Sequence, residues 1–280
     1  MKIFIVGLGL IGASYAQGLS KKHTIYAYNR TEQRVLEAIQ EGIVSQDNAL
    51  SKLSEADLVI LGLYPKHNVA FVNEHQHLFR KGQILTDVSG TKAWMVPEIE
   101  KILPEGVSYT SHHPMAGKET SGYDVKDWKI FKGANFVMVK GEKSEARDEV
   151  VLRQIAKDLS FGRVMVVDPK THDQLIAFTS QLTHVLAISL VNADAFIETK
   201  EATGDSYRDL TRIAKINATM WSELFSENKE ALLKQIENFE HELDNVKDMI
   251  KNDQRALLIQ YMEKATEKRK TFDADPDESI

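Results

Sequence analysis

The chain has 280 residues, room for one large or two medium domains, and its 42% apolar and 27% charged residues are proportions of an ordinary globular protein. A net charge of -6 without any basic run argues against a nucleic-acid surface, and the absence of cysteine removes disulfide frameworks, thiolate nucleophiles and thiolate metal sites. No apolar run is expected to reach the ~20 residues of a membrane span, so the expected compartment is the cytoplasm, with no membrane partner.

The first element is an apolar strand, 2–6, running into Gly7-Leu8-Gly9-Leu10-Ile11-Gly12 and a helical pattern from Gly12 to Ser20. Lys2 and the apolar residues ahead of Ala13-Ser14-Tyr15-Ala16 faintly suggest a signal peptide. Three regularly placed glycines break that stretch, and it is read as mature core. Between a strand and a helix, G-x-G-x-x-G is a dinucleotide-binding turn. Gly7 permits the tight turn, Gly9 lets the backbone approach a pyrophosphate, and Gly12 lets the helix pack closely on the strand. The helix N-terminus then offers free N–H groups to the phosphates.

A second strand, 24–28, ends at Asn29-Arg30-Thr31. An acid at this place would bind the ribose 2′-hydroxyl of NAD. Asn29 replaces it, and Arg30 with Thr31 offers a cation and a hydroxyl, which favours NADP over NAD. Asn29 and Thr31 also suit the cap of the next helix. Gln33 and Arg34 are candidates for the same pocket.

Further strands are expected at 57–62, 83–87, 107–111, 134–139 and 162–167, with helices such as 31–41, 91–102 and 144–159 between them. Short continuous apolar runs fit strands buried on both faces of a parallel sheet. The rhythm predicts a doubly wound, Rossmann-type α/β domain over 1–167. After Asp168-Pro169 no strand pattern remains, and an all-helical substrate and dimerisation domain is expected over 168–272. Segment 171–198 reads as one long helix, with Leu175, Phe178, Leu182, Val185 and Leu186 on its apolar face. Segment 228–268 reads as a longer one. There Leu232, Ile236, Phe239, Leu243, Val246 and Ile250 make a heptad seam, which can pack inside its own bundle or against a second copy; a homodimer is favoured. The acidic tail, 273–280, is expected to be disordered.

Three later clusters carry candidate chemistry: Ser111-His112-His113-Pro114-Met115-Ala116-Gly117-Lys118-Glu119-Thr120-Ser121-Gly122, Thr179-Ser180-Gln181-Leu182-Thr183-His184, and Tyr207-Arg208-Asp209-Leu210-Thr211-Arg212-Ile213-Ala214. Each also has an ordinary reading. A loop histidine usually satisfies local hydrogen bonds, a histidine on an apolar helix is often core, and two arginines around an aspartate often form a solvated ion-pair face.

Taken together, and followed by Met220-Trp221, these clusters resemble the prephenate/arogenate dehydrogenase family of tyrosine biosynthesis over nearly the whole chain. The His-Pro-x-Ala-Gly and Arg-Asp-x-Thr-Arg pair behind a glycine loop is the specific part. The resemblance implies that a cyclohexadienol loses hydride from C4 to a nicotinamide and its ring carboxylate as CO2, driven by aromatisation. The substrate would be prephenate or arogenate, which no residue here distinguishes.

The resemblance makes His113 the catalytic histidine, a neutral imidazole accepting the C4 hydroxyl proton, with activity falling as pH drops through a value near ~6.5. It makes Arg212 a carboxylate-binding arginine and His184 a second pocket histidine. Glu119 and Asp209 become orienting residues, and Lys92, Lys118 and Arg208 a source of positive potential. Trp221 reads as packing. Many family members carry a serine after the fourth strand that bonds the catalytic histidine. Here Asp87-Val88-Ser89-Gly90-Thr91-Lys92 puts Gly90 at that place, and Ser89, ahead of Thr91, is the expected substitute. Gln181 stands where some relatives carry another histidine. A β-hydroxyacid dehydrogenase shares the layout but needs a catalytic lysine where His184 stands. A cofactor-sensing module would need neither His113 nor Arg212.

Overall fold

The computed structural model describes residues 1–118, 120 and 122–273. Glu119 and the tail from 274 lie outside the described residues. In chain order the elements begin β1 Lys2–Val6, α1 Leu10–Leu19, β2 Thr24–Tyr28, α2 Glu32–Gln40, β3 Leu58–Leu61, α3 Pro65–Glu74, β4 Ile84–Asp87 and α4 Met95–Ile102. They continue β5 Ser108–Pro114, β6 Phe136–Lys140, α5 Ala146–Asp158 and β7 Val164–Val167. The rest is helical: α6 Pro169–Ile176, α7 Leu182–Asn192, α8 Thr199–Ala202, α9 Asp205–Thr211, α10 Ala218–Glu227, α11 Lys229–Lys251 and α12 Arg255–Asp273.

The seven strands form one sheet in the order β2-β1-β3-β4-β5-β6-β7. The pleat sends alternate side chains to opposite faces. Ile3, Ile5, Leu58 and Ile60 therefore pack on one side with α1, α2 and α5 residues, while Phe4, Val6, Val59 and Leu61 pack on the other with α3 and α4 residues. A strand with apolar residues at every position can sit only between two such layers, which is why β1, β3 and β4 read as unbroken runs. All neighbouring strands are parallel except β5 and β6, which run antiparallel with His113 opposite Val137. A wholly parallel reading misses this reversal, because the described residues of the 115–135 connection hold only a short 3-10 turn at Trp128–Phe131 and no α-helix that would bring the chain back in the same direction.

Two helix expectations need correction. The 171–198 helix carries a π-helical turn at Ala177–Gln181 and ends at Asn192. The 228–268 helix is two helices, broken at Asn252–Gln254, where Asp253 takes a left-handed φ of 51°. The seam on α11 is divided: Leu232 is buried, whereas Leu243 and Ile250 are exposed. The expectation that no segment approaches a membrane span meets one exception by length and composition alone: among the described residues, the helical stretch Pro169–Asn192 contains an apolar 18-residue window, a test that a helix packed within a folded protein also passes. Its threonines, serines and histidines interrupt the apolar run in the sequence but leave the average high.

Candidate active site

The C-terminal ends of β1, β4 and β5 deliver three loops to one edge of the sheet, the place where doubly wound folds bind ligands. At β1, Gly7 takes a φ of 94°, a conformation that side chains disfavour. A Cβ built on Gly12 would stand 1.9 Å from the Gly7 carbonyl oxygen, so α1 can lie this close to β1 only with glycine there. A Cβ on Gly9 would meet nothing within 4 Å. Leu10 and Ile11 open α1, and Ala13 is the first residue whose amide reaches back, to the Gly9 carbonyl. Open space over Gly9 beside unsatisfied first-turn amides is a fit for a pyrophosphate.

These two glycines give a paired prediction. Gly12→Ala forces backbone atoms apart and is expected to cost about 1–3 kcal/mol of stability together with cofactor binding. Gly9→Ala is expected to unfold at the parent temperature yet bind cofactor poorly. Thermal melts with a fluorescence titration of reduced cofactor separate the two; equal melting temperatures for both variants would contradict the packing argument.

Asn29 serves the loop itself: its Oδ1 accepts from Leu8 N at 2.9 Å and its Nδ2 donates to the Thr31 carbonyl at 3.0 Å. It is therefore a strut beneath the cofactor turn, with both polar ends engaged. Thr31 holds the N-cap position of α2 without a side-chain cap bond, so its hydroxyl is not spent on the helix. Arg30 is exposed and makes no hydrogen bond or ion pair among the described residues. Gln33 and Arg34 do not extend that pocket, because Arg34 grips Asp124 through two bonds and also Glu37, and Gln33 binds Glu37.

At β4 the structure redirects two expectations. The Ser89 hydroxyl accepts from Asn68 Nδ2 at 3.0 Å and lies against Met95, and among the described residues it makes no hydrogen bond to His113. Thr91 donates to Glu227 at 2.7 Å. Gly90 is the residue that faces the histidine, its built Cβ 4.0 Å from His113 Cε1. Ser89 and Thr91 are each engaged elsewhere, with Asn68 and Glu227, so neither takes the place beside the histidine.

Lys92 is fully buried and is not a substrate contact. Its Nζ donates to Asp87 Oδ1 at 2.6 Å and to the His112 carbonyl at 2.8 Å. The Asp87 carboxylate also accepts from Tyr109, Ser111 and Ser89 N. Burial alone would raise its pKa, but the Lys92 ammonium and the hydroxyl donors outweigh that and hold it below the usual carboxylate range. Beneath this pair His112 sits between Tyr15 Oη, 2.8 Å away, and Thr86 Oγ1, 2.6 Å away, and burial pulls its pKa down to about 3.

His113, the next residue, points to the other side of the strand. Its Nδ1 lies 3.0 Å from His172 Nε2, and His172 Nδ1 lies 2.7 Å from Asp173 Oδ1. Asp173 accepts from Lys92 N and Ala93 N at 2.9 and 2.8 Å, docking the start of α6 onto the β4 loop. Burial first, then the nearby Lys92 ammonium, holds His113 well below the ordinary histidine value, so the ring is neutral. Sequence reasoning did not single out His172 or Asp173. The available signal was an adjacent His-Asp pair in the first turns of a helix that Asp168 caps.

The helical region brings His184 to Trp221, with ring centroids 3.7 Å apart, and His184 Nδ1 donates to the Ser180 carbonyl at 2.8 Å. Trp221 is thus the stacking partner of a candidate site residue. The turn carrying Arg212 packs against α7 beside them, as does α9. Arg208 is exposed and paired with Asp205, Asp209 is exposed, and Lys118 pairs with Asp127. Gln181 is buried and fully engaged: it donates to the Leu224 carbonyl and accepts from Asn228, which also holds the Asp173 carbonyl. It braces α10 and α11 rather than facing a ligand.

Comparison with known proteins agrees with this layout. Residues 13–162 match the model of the prephenate dehydrogenase nucleotide-binding domain, and residues 168–264 that of the prephenate dehydrogenase dimerization domain. The chain is 32% identical over 268 residues to prephenate dehydrogenase of Lactococcus lactis subsp. cremoris, covering 91% of this chain and 73% of that one. Over 278 residues it is 26% identical to prephenate dehydrogenase of Bacillus subtilis, covering 95% and 75%. Among solved structures, Aquifex aeolicus prephenate dehydrogenase in complex with hydroxyphenyl propionate and NAD+ superposes with a TM-score of 0.85 at 25% identity, covering 97% of this chain and 98% of that one. The His113 strand end and the helical half carrying His184 and Arg212 fall within the two matched domains, the first of which begins at residue 13, directly after the glycine turn, and the chain belongs to the prephenate dehydrogenase family.

Proposed function

We propose that the chain is a prephenate dehydrogenase of tyrosine biosynthesis that oxidatively decarboxylates prephenate to 4-hydroxyphenylpyruvate, with NADP as the preferred hydride acceptor. The observation that carries the reading is His113. It is a neutral imidazole at the end of β5, its Nδ1 engaged by His172, and its Nε2 has no hydrogen-bond partner among the described residues. Such a nitrogen can take the proton of a ring hydroxyl as that oxygen becomes phenolic. Bound nicotinamide supplies the hydride acceptor. Gly7 to Gly12 hold its pyrophosphate, and Arg30 with the Thr31 hydroxyl receives a ribose 2′-phosphate that a carboxylate would repel.

Arg212 and His184 bind the substrate's carboxylates and side chain, with Trp221 holding the His184 ring. Arg208 and Asp209 complete the same substrate-facing surface, and Glu119 serves as an orienting residue. Residues 1–167 act as the nucleotide-binding unit and 168–272 as the helical unit. The exposed apolar side chains Phe178, Leu190, Val191, Phe196 and Ile197 suit burial against a second copy, giving a homodimer.

The test is turnover of prephenate or arogenate, each with NAD or NADP, followed by the absorbance of reduced nicotinamide. Prephenate with NADP is expected to be fastest, and Arg30→Ala to erase the NADP advantage. Arogenate as the faster substrate would overturn the substrate assignment. A preference for NAD that Arg30→Ala leaves unchanged would overturn the cofactor argument.

A further inference from the structure

We propose that His172 and Asp173 form a positioning dyad that fixes the tautomer of His113, presenting its unprotonated Nε2 to the reacting hydroxyl. The inference rests on the reading of His113 as the proton acceptor. It follows from who can donate to whom. A carboxylate only accepts, so the 2.7 Å contact between His172 Nδ1 and Asp173 Oδ1 places a proton on Nδ1. A neutral His172 ring then has a lone pair on Nε2. The 3.0 Å contact to His113 must be donated by His113 Nδ1–H. A neutral His113 ring has one N–H, and it is spent on His172. Nε2 is left as an acceptor.

The anchor of this series is rigid. Asp173 and His172 are 3% and 1% exposed, and backbone amides of Lys92 and Ala93 fix the carboxylate. On the other side of the ring Gly90 offers no side chain, so His172 is the group that orients His113. The titratable groups near His113 are His172, Lys92 and, on the opposite side of β5, His112; those near His172 are Asp173, Lys92 and Asp87. Burial keeps both rings neutral in the resting protein. When Nε2 takes the hydroxyl proton, the Nδ1 proton stays on His113. The new positive charge lies one imidazole away from the Asp173 carboxylate.

The experiment compares His172→Leu, His172→Gln and His113→Ala in the full chain. Turnover, pH profile and ring 15N shifts of histidine-labelled protein are measured, with the His113 signals assigned by their loss in His113→Ala. The parent is expected to show a protonated Nδ1 and a bare Nε2 on His113. His172→Leu is expected to lower kcat by ~10–100-fold with KM little changed, to mix the two tautomers and, because the imidazolium loses its acceptor, to move the acid limb to lower pH. His172→Gln keeps an oxygen that can accept from Nδ1–H and is expected to restore the tautomer and most of kcat. A parent with the proton on Nε2, or a His172→Leu protein with unchanged tautomer and pH profile, overturns the dyad. If His113→Ala itself turns over normally, the reading of His113 fails instead, and the two failures are distinguishable.

Discussion

Turnover of the His113→Ala protein is expected to fall by ~10²–10⁴-fold while cofactor affinity changes little. The residue ends β5 on the ligand edge of the sheet, and the cofactor turn is built from other residues, Gly7 to Gly12 with Asn29 beneath. Removing the imidazole therefore removes a proton acceptor without disturbing the pyrophosphate cradle. Steady-state kinetics with a separate cofactor titration checks this, and normal turnover would take His113 out of the reaction. The pH profile carries a second signature. Protonation abolishes the acceptor, so activity falls on the acid side. Burial and the neighbouring Lys92 ammonium lower the pKa, so the ring is still neutral at an ordinary histidine's midpoint. The acid limb is expected well below the unperturbed value of ~6.5 that the sequence alone suggests, and a limb centred there would show that the ring is solvated in the working enzyme.

The largest expected effect on stability comes from Lys92→Met, about 3–5 kcal/mol. Lys92 and Asp87 are both fully buried, and the Asp87 carboxylate is committed to three further donors. Methionine fills the volume and keeps the backbone amide that Asp173 needs, but it leaves the carboxylate buried without its counter-charge. Denaturant unfolding of Lys92→Met, Asp87→Asn and the double variant measures the pairing. The double variant should be less damaged than the sum of the singles. A Lys92→Met protein within about 1 kcal/mol of the parent would mean that the hydroxyl donors alone suffice to hold the charge.

Lys92, which its residue type assigns to a substrate pocket and the fold buries in an ion pair with Asp87, shows what a sequence can convey here. Strand positions were legible because burial on both faces leaves continuous apolar runs: β1 and β2 begin and end where the pattern places them. The glycine turn was legible because its chemistry lies in the backbone. Lys92 and Ser89 differ from their sequence reading because their residue types suit a pocket, whereas buried partners distant in the chain, Asn68 for Ser89 and the His112 carbonyl for Lys92, decide where they point. Gln181 was misread likewise, since only tertiary packing reveals that Leu224 and Asn228 take both ends of its amide. His172 and Asp173 were invisible as chemistry because their partner lies 59 residues away from His172 in sequence. The break at Asp253 was missed because the heptad pattern on α11 continues in register almost to the turn.

The order of the sheet has a consequence for synthesis. After β3 joins β1, each later strand adds to the edge left by its predecessor, through β4, β5, β6 and β7. No later strand has to insert between two earlier ones. The sheet can therefore grow outward as the chain leaves the ribosome, since N-terminal parts fold first. The cofactor turn is complete within the first 30 residues, but His113 gains its partner only when α6 arrives, and the pocket closes only after Trp221. An unfinished chain would thus have the means to hold the nucleotide long before it had the means to react with it.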